Sequence, residues 1–277
     1  MRRRRSGSRP AAAIGALALF GIGLYPAAGG AATAASDRYT VGMGVERFLW
    51  REYDAGGDKL LEEEGPRYFI GIDGERTMPS GWTYGFRGRL YTGEVDYDGQ
   101  TRSGTPVESD SDYDGIRIAL DFAHPLAADG GASPVSVRFG LGLDWWSRSL
   151  QDTASTSGYS EDYRIPYLDL GLTYRWRERL GWYAEGGVKY PFASREEIED
   201  LGPYDAIELE PEGDLSPYLG LGYRFTRRWD LEFVYATYRF DASDKERLTV
   251  GGAPSASVAW QPESRQDTAG LHLRYGF

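Results

Sequence analysis

Long runs in which apolar and polar residues alternate one by one are the feature of this sequence that most constrains its fold. A period of two places successive side chains on opposite faces of a β-strand, so each run predicts a strand with one apolar face. Several runs reach about ten residues or more, which is long for a globular sheet but matches a tilted strand crossing a bilayer. In the run 135–147, one face consists of Val135, Val137, Phe139, Leu141, Leu143 and Trp145.

Ten such runs follow one another along the chain. They occupy residues 38–53, 67–77, 82–97, 111–122, 135–149, 162–176, 181–193, 215–226, 229–241 and 267–277. Strands of this length and pattern form closed barrels with an even number of antiparallel strands. The sequence therefore predicts an all-β chain forming a closed antiparallel up-and-down transmembrane β-barrel of ten strands, with eight strands as the alternative count.

The first 34 residues have a different composition from the rest. Residues 2–5 are all arginine, residues 11–24 form an apolar stretch, and Ala32 and Ala34 supply the small residues of a cleavage site. This order is typical of a secretory signal peptide, and the apolar stretch is shorter than a membrane-spanning helix requires. We therefore expect a cleaved signal peptide at 1–34, to within one residue, followed by a single barrel domain at 35–277.

Composition excludes several classes of function. The 277-residue chain has no cysteine, two histidines and a formal charge of -11. Without cysteine it has no disulfides, no thiol nucleophile and no cysteine zinc site. An excess of acidic residues disfavours binding to nucleic acid, so no nucleic-acid partner is expected.

Aromatic residues cluster at the predicted strand ends. Amphipathic rings concentrate where a barrel meets the lipid headgroups, so these positions predict two aromatic girdles. The girdle on the side of the short turns consists of Trp82, Phe122, Trp176, Trp182, Phe225, Trp229 and Phe277. Trp145, Tyr190 and Phe192 are predicted for the opposite interface.

The chain ends in the alternating segment 271–277 (LHLRYGF), with Tyr275 two residues before the terminal Phe277. This ending resembles the C-terminal signature of Gram-negative outer-membrane β-barrel proteins, and no motif identifies a subfamily. The resemblance implies a protein integral to the outer membrane, exported through the inner membrane by its signal peptide and escorted by periplasmic chaperones. It also implies that outer-membrane lipids surround the barrel and that the barrel assembly machinery recognises Tyr275 and Phe277.

Connection lengths predict which side of the membrane each barrel end faces. Short connections are predicted at 78–81, 177–180 and 226–228, with a longer one at 123–134 on the same side. The connections on the opposite side are long and polar, at 54–66, 98–110, 150–161, 194–214 and 242–266. In outer-membrane barrels the short turns face the periplasm, so both chain ends are expected there and the long loops outside.

Charged residues occupy the face opposite to the apolar one, which would line the lumen. Burying an unpaired charge costs several kcal/mol, so nine acids and nine bases predict an ion-pair network that closes a narrow interior. The alternative is a narrow polar channel. The acids are Glu46, Asp73, Glu75, Asp121, Asp144, Asp169, Glu185, Asp230 and Glu232. The bases are Arg87, Arg89, Arg117, Arg138, Arg148, Arg175, Lys189, Arg224 and Arg274, and His272 belongs to the same face.

Barrels of similar size include enzymes. Ten strands is the size of the omptin proteases, and lipid A deacylases and outer-membrane phospholipases have a similar architecture. The resemblance would require a histidine near the outer rim in each case. We place His124 in the periplasmic turn at 123–134 and His272 low in the lumen, and no nucleophile at the outer rim can reach either ring. No catalytic residue is therefore assigned.

The long loops are strongly acidic. The segment 194–214 carries nine acidic residues and one arginine, and residues 110–115 (DSDYDG) imitate a calcium-binding loop. The alternation at 116–122 predicts a strand there, which excludes a helix-flanked EF-hand, although loose divalent-ion binding by Asp110 and Asp112 stays open. We assign no metal site and no cofactor.

The function expected from the sequence is that of a monomeric, non-enzymatic outer-membrane barrel with a charge-plugged lumen. Its acidic extracellular loops would provide a scaffold for interactions at the cell surface. The alternative is a narrow porin-like channel for small solutes. Less favoured is a barrel enzyme, such as an omptin-like protease or a lipid-modifying hydrolase.

Overall fold

A computed structural model describes residues 36–101, 104–126, 134–153, 156–175 and 180–277. The predicted signal peptide at 1–34, Trp176 and most of the connection 123–134 lie outside these residues. The described part contains fifteen strands. They are β1 (Ser36–Tyr53), β2 (Lys59–Thr77), β3 (Thr83–Gln100), β4 (Pro106–Pro125), β5 (Val135–Leu150), β6 (Ser160–Arg175), β7 (Gly181–Pro191), β8 (Arg195–Glu199), β9 (Ile207–Leu209), β10 (Glu212–Asp214), β11 (Ser216–Arg224), β12 (Trp229–Asp241), β13 (Glu246–Val250), β14 (Ala253–Ala259) and β15 (Glu263–Gly276).

Ten of these strands close into a barrel. Each of β1–β7, β11, β12 and β15 pairs antiparallel with its neighbours, and β15 pairs with β1 to complete the circle. The closing register runs from Thr40 opposite Gly276 to Tyr53 opposite Glu263. The prediction of a closed ten-stranded antiparallel barrel is confirmed, and the alternative of eight strands is wrong.

An apolar band encircles the barrel on its outer surface. Outward side chains of the band are exposed because no described residue covers them, as Met43 (62%) and Ile70 (61%) illustrate. We call the end of the barrel that holds residues 36 and 277 and the short turns the terminal end, and the opposite end the loop end. The described residues include no helix with the length and hydrophobicity needed to span a membrane.

The strands continue beyond this band toward the loop end. On β4 the outward side chains change from Ile118 and Ile116 to Asp114 and Asp112, yet β4 stays paired with β3 as far as Pro106. Strands therefore occupy 59–66, 98–100 and 106–110, which the sequence predicted as loops. Outside the band both faces of a strand are polar, so the sequence no longer shows the alternation that predicts a strand. The backbone hydrogen bonds between the strands nevertheless continue.

The segment 194–214 extends the wall of the barrel. β8 pairs with β6 beyond the last pair that β7 makes, and β10 pairs with β12 beyond β11. A left-handed backbone at Ala193 (φ 46°) separates β7 from β8. The predicted loop 242–266 contains the hairpin of β13 and β14, which turns at Gly251 and Gly252, both with positive φ.

Candidate functional site

The lumen collects most of the buried charges of the barrel. The inward faces of the strands carry all the charged residues that the sequence assigned to this face, together with His272. Most of them form ion pairs between strands, arranged in layers along the barrel axis.

Asp230 organises the layer at the terminal end. This fully buried carboxylate lies 2.6 Å from Arg274 and 2.7 Å from Arg38, while Arg224 approaches to 3.9 Å. One carboxylate thus faces three guanidinium groups.

A second ion pair at the same end crosses the lumen. Arg175 on β6 lies 2.7 Å from Glu75 on β2.

Two arginines organise the middle layer. Arg138 lies 2.8 Å from Glu185 and 3.3 Å from Asp169, and Arg87 makes two hydrogen bonds to Asp121. The paired groups come from β3, β4, β5, β6 and β7, so this layer ties together half of the barrel wall.

Asp144 forms the link from the middle layer toward the loop end. Arg117 approaches it to 2.5 Å, and the Tyr91 hydroxyl donates a hydrogen bond to it at 2.6 Å.

The remaining lumen charges differ in how they are paired. Glu232 lies 3.2 Å from Arg274 and 3.5 Å from His272. Asp73 accepts a hydrogen bond from Thr40. In the described part of the chain, Arg89 and Lys189 have no carboxylate oxygen within 4.0 Å.

An aromatic plug fills the loop-end half of the lumen. Trp50 on β1 contacts Trp146 on β5 from across the barrel, with ring centroids 5.6 Å apart, and Trp146 stacks on Tyr163 at 4.0 Å. These three side chains are at most 1% exposed. The plug consists of Phe48, Trp50, Phe69, Tyr91, Tyr97, Tyr113, Trp146, Tyr163, Tyr167, Tyr238 and Phe240.

A guanidinium is embedded in this plug. Arg67 lies 4.1 Å from the centroid of the Phe48 ring and 4.5 Å from that of Tyr91, and it pairs with Glu46 at 2.5 Å. Arg67 is fully buried. Cation–π contacts and one carboxylate therefore stabilise a charge that no water reaches.

An acidic cluster lies at the loop end of the plug. Arg148 is within 3.7 Å of Glu52 and 2.8 Å of Glu63, and it also pairs with Glu161. The buried Glu196 on β8 completes the cluster, in which Arg148 contacts three of the four carboxylates and contributes only long-range attraction to Glu196.

Burial and the neighbouring charges of Glu161 and Glu52 raise the pKa of the Glu196 carboxyl well above its usual range. Arg148 and a hydrogen bond with the Tyr163 hydroxyl lower this pKa, but they do not cancel the rise. A proton on this carboxyl would relieve the repulsion within the acidic cluster.

Sequence reasoning missed several residues of these layers. Glu63 and Glu161 were assigned to loops, as was Glu196, and Arg67 was not included among the lumen bases. No local signal marks Glu63 as inward, because its neighbours Glu62 and Glu64 are identical to it. All three side chains are acidic, so hydrophobicity does not reveal which of them faces inward.

The histidines lie away from the loop end. His272 is buried against Phe69, with ring centroids 4.4 Å apart, and His124 packs against Trp82 at 4.8 Å near the terminal end. His124 belongs to the last residues of β4 and not to the turn predicted there. The described residues include no group of three or more side chains arranged to hold a metal ion.

Acidic residues face each other on the outer surface between the band and the loop end. Asp96 on β3 lies directly opposite Asp110 on β4, and Glu94 lies opposite Asp112. The imitation of a calcium-binding loop at 110–115 therefore lies inside a strand. Like charges in directly opposed positions destabilise a sheet.

The C-terminal residues complete the closing seam. The Phe277 backbone N–H donates to the carbonyl oxygen of Tyr39 at 3.0 Å, and the two rings are stacked. The Tyr275 hydroxyl accepts a hydrogen bond from Arg228. The Phe277 side chain is 70% exposed on the outer surface, where it can be contacted by other molecules.

Comparison with known proteins identifies the fold. No family model matches the sequence, and no curated protein matches it. The outer-membrane protease OmpT from Escherichia coli has a similar structure, with a TM-score of 0.53 and 16% identity over 87% of this chain and 96% of that chain. The translocator domain of the autotransporter NalP from Neisseria meningitidis gives a TM-score of 0.41 and 12% identity over 84% of this chain and 87% of that chain. At these identities the similarity extends to the barrel fold alone.

Proposed function

We propose that this chain is a non-enzymatic, integral outer-membrane β-barrel that does not conduct solutes and that displays an acidic loop end at the cell surface. The observation that carries the proposal is the aromatic plug. Its side chains come from seven of the ten barrel strands, β1–β6 and β12, and meet across the lumen, as Trp50 and Trp146 do. An interior closed by contacting rings leaves no water-filled path through it.

The location in the outer membrane is part of the same proposal. Its support is the exposed apolar band, which needs lipid around it, and the terminal Phe277 beside the closing seam. The terminal end would face the periplasm and the loop end the outside, because short turns are periplasmic in such barrels. Both histidines lie far from the loop end, which favours a non-enzymatic role over a histidine-dependent enzyme at the cell surface.

Planar-bilayer recording tests the closed lumen. The parent barrel is expected to be electrically silent, whereas the double variant Trp50→Ala and Trp146→Ala is expected to show discrete openings because two plug side chains are removed. Trp145→Ala is the matched control, since Trp145 precedes Trp146 but points into the band and is 46% exposed. Heat-modifiability on gels verifies that each variant is folded. Steady openings of the parent would overturn the proposal.

Cysteine labelling tests the orientation in a chain that has no cysteine of its own. A cysteine replacing the exposed Glu210 is expected to react with an impermeant reagent on whole cells. A cysteine replacing the exposed Ser80 is expected to react only after the outer membrane has been opened. The reverse pattern would invert the barrel.

A narrow channel is the second candidate function. The observation that favours it is a cavity of about 260 Å³ that opens at the terminal end, so that part of the lumen already admits solvent. Conductance of the parent, with selectivity that changes when Arg138 or Glu185 is replaced, would favour this candidate over the closed barrel.

A further inference from the structure

Two neighbouring cavities occupy the terminal half of the lumen. The larger, of about 260 Å³, opens between the strand ends beside Arg38 and Arg175. The smaller, of about 60 Å³, lies deeper, where Tyr167 and Lys189 form part of its wall. Both cavities are lined by Arg89, so the smaller one is the inner end of the space that opens at the terminal end.

The walls of these cavities carry more positive than negative charge. Seven arginines and five carboxylates line the larger cavity. Five cationic side chains and two carboxylates line the smaller one. The excess of positive charge therefore grows with depth, and the low-dielectric wall of the barrel strengthens the field that it produces.

Most of these cations are already neutralised by direct contact. Arg87 contacts Asp121 at 2.8 Å, Arg117 contacts Asp144 at 2.5 Å, and Arg138 contacts Glu185 at 2.8 Å. Their charges hold the barrel wall together and leave little attraction for a ligand.

Arg89 and Lys189 are different. The Lys189 ammonium lies 3.6 Å from the centroid of the Tyr238 ring, and the Arg89 guanidinium lies 5.3 Å from that of Phe69. Neither has a carboxylate oxygen within 4.0 Å in the described ranges, and the Lys189 side chain is buried. A buried cation that no carboxylate contacts is costly, and Lys189 is such a cation. The half-buried Arg89 adds a second cation without a contacting carboxylate at the same small cavity, so the two together attract an anion.

We propose that the inner cavity binds a small oxyanion, through a phosphate or carboxylate group held between Arg89 and Lys189. Guanidinium and ammonium groups form charge-assisted hydrogen bonds with either kind of group. The larger cavity, slightly smaller than the roughly 300–1,000 Å³ typical of small-molecule sites, leaves room for the rest of a small metabolite.

The ligand enters from the terminal end. The aromatic plug closes the other side of the lumen, so the loop end provides no access. The assignment of this entrance to the periplasm rests on the proposed orientation, whereas binding itself does not depend on it. A barrel that proved to be a channel, or to be inverted, would still bind the oxyanion in detergent solution.

Isothermal titration calorimetry on the full-length barrel, folded in a zwitterionic detergent at low ionic strength, tests the site. The probes are inorganic phosphate, succinate and, as a cationic control, tetramethylammonium. The parent is expected to bind one equivalent of phosphate, of succinate or of each, and no tetramethylammonium. Whichever anion binds more tightly identifies the group that the cavity prefers.

Two variants place the anion in the lumen. Lys189→Met and Arg89→Gln are each expected to lower the affinity about 10- to 100-fold, the range for loss of a hydrogen bond to a charged group. Lys245→Met, which changes an exposed loop lysine in the same way, is expected to leave the affinity unchanged. Heat-modifiability verifies folding, and Arg89→Gln decides the question if Lys189→Met does not fold. Absence of anion binding by the parent, or equal affinity in a folded lumen variant, would overturn the proposal.

Discussion

Arg148 and Glu63 form a buried ion pair at 2.8 Å that joins strand β5 to strand β2, which are separated by two strands in the sheet. Arg148 is 1% exposed and Glu63 is fully buried. The pair therefore crosses the loop-end half of the lumen, and Arg148 also contacts Glu52 and Glu161 there. One guanidinium holds together carboxylates from three strands that are not all neighbours.

Replacing Arg148 is expected to destabilise the barrel strongly. Arg148→Met leaves the buried carboxylates of the acidic cluster without a counter-charge, which costs about 3–5 kcal/mol. Unfolding by urea in detergent micelles measures the decrease in the free energy of unfolding. Part of the lost stability is expected to be regained at low pH, because burial raises the pKa of Glu161 and Glu196, and protonation of these two carboxyls removes part of the uncompensated charge. Arg164→Met is the control, because Arg164 is half-exposed in a loose pair with Glu197 and its loss costs at most about 1 kcal/mol. Equal losses for the two variants would contradict the role of Arg148.

The docking of β8 is expected to depend on pH through Glu196. Its pKa is raised while β8 is docked and returns to about 4.3 when the strand is released, so the docked form binds more protons between these values. Docking of β8 is therefore strongest below the pKa that Glu196 has in the released strand. It weakens as the pH rises through the higher pKa that Glu196 has in the docked strand. Hydrogen exchange of the amides in β8 and β9, corrected for intrinsic rates, is expected to be faster at pH 9 than at pH 6.

Glu196→Gln supplies the test of this cause. The amide stays neutral at every pH, so the difference between pH 6 and pH 9 is expected to vanish. Glu199→Gln, at an exposed position of the same strand, is the control and is expected to keep the difference. If Glu196→Gln keeps it as well, another group governs the docking.

Gly142 is expected to tolerate no side chain. It lies directly opposite Tyr167, whose ring occupies the space that a Cβ atom at Gly142 would enter. Gly142→Ala is expected to cost about 1–3 kcal/mol by overpacking. Gly88→Ala is the matched control, because no atom lies within 4 Å of its added methyl group. Urea unfolding should separate the two variants, and equal stability would show that the Tyr167 ring moves aside freely.

The facing acids of β3 and β4 are expected to weaken the sheet at low salt. Asp96→Asn removes the repulsion with Asp110 and should raise the free energy of unfolding by about 0.2–1 kcal/mol. Screening by 1 M salt should abolish this gain. Thermal unfolding at both salt concentrations measures it, with Asp58→Asn in an exposed turn as the control. A gain that is independent of salt would exclude charge repulsion as its source.

Phe277 is expected to matter for assembly more than for stability. A charge near the membrane interface costs only about 0–1 kcal/mol in a folded barrel, so Phe277→Asp should stay stable once folded. In cells, however, the amount of folded barrel should fall sharply if the assembly machinery reads this residue. Heat-modifiability of outer-membrane fractions measures the amount of folded barrel. Gly276→Ala is the control, because its added methyl group meets only ordinary van der Waals contacts. Normal insertion of Phe277→Asp would make the terminal signature incidental.

The alternation of side chains was sufficient to predict the barrel. A period of two needs only the chemistry of neighbouring residues, and lipid on one side makes the contrast large within the band. The strand at 229–241 was therefore bounded correctly at both ends. The contrast disappears where both faces are polar, which is why the start of β2 at Lys59 and the short β8 were assigned to loops.

The sequence by itself determined where most of the strands lie and which of their faces is apolar, because both follow from residues that are close along the chain. The choice between ten and eight strands came from the structure, because barrel closure pairs residues as distant as Thr40 and Gly276. Only the tertiary structure decided which charges meet and which side chains close the lumen. In a closed barrel an inward side chain contacts strands across the lumen, as Trp50 contacts Trp146 and Arg148 contacts Glu63. Those partners are distant in sequence and depend on the stagger of the strands, which no local pattern encodes.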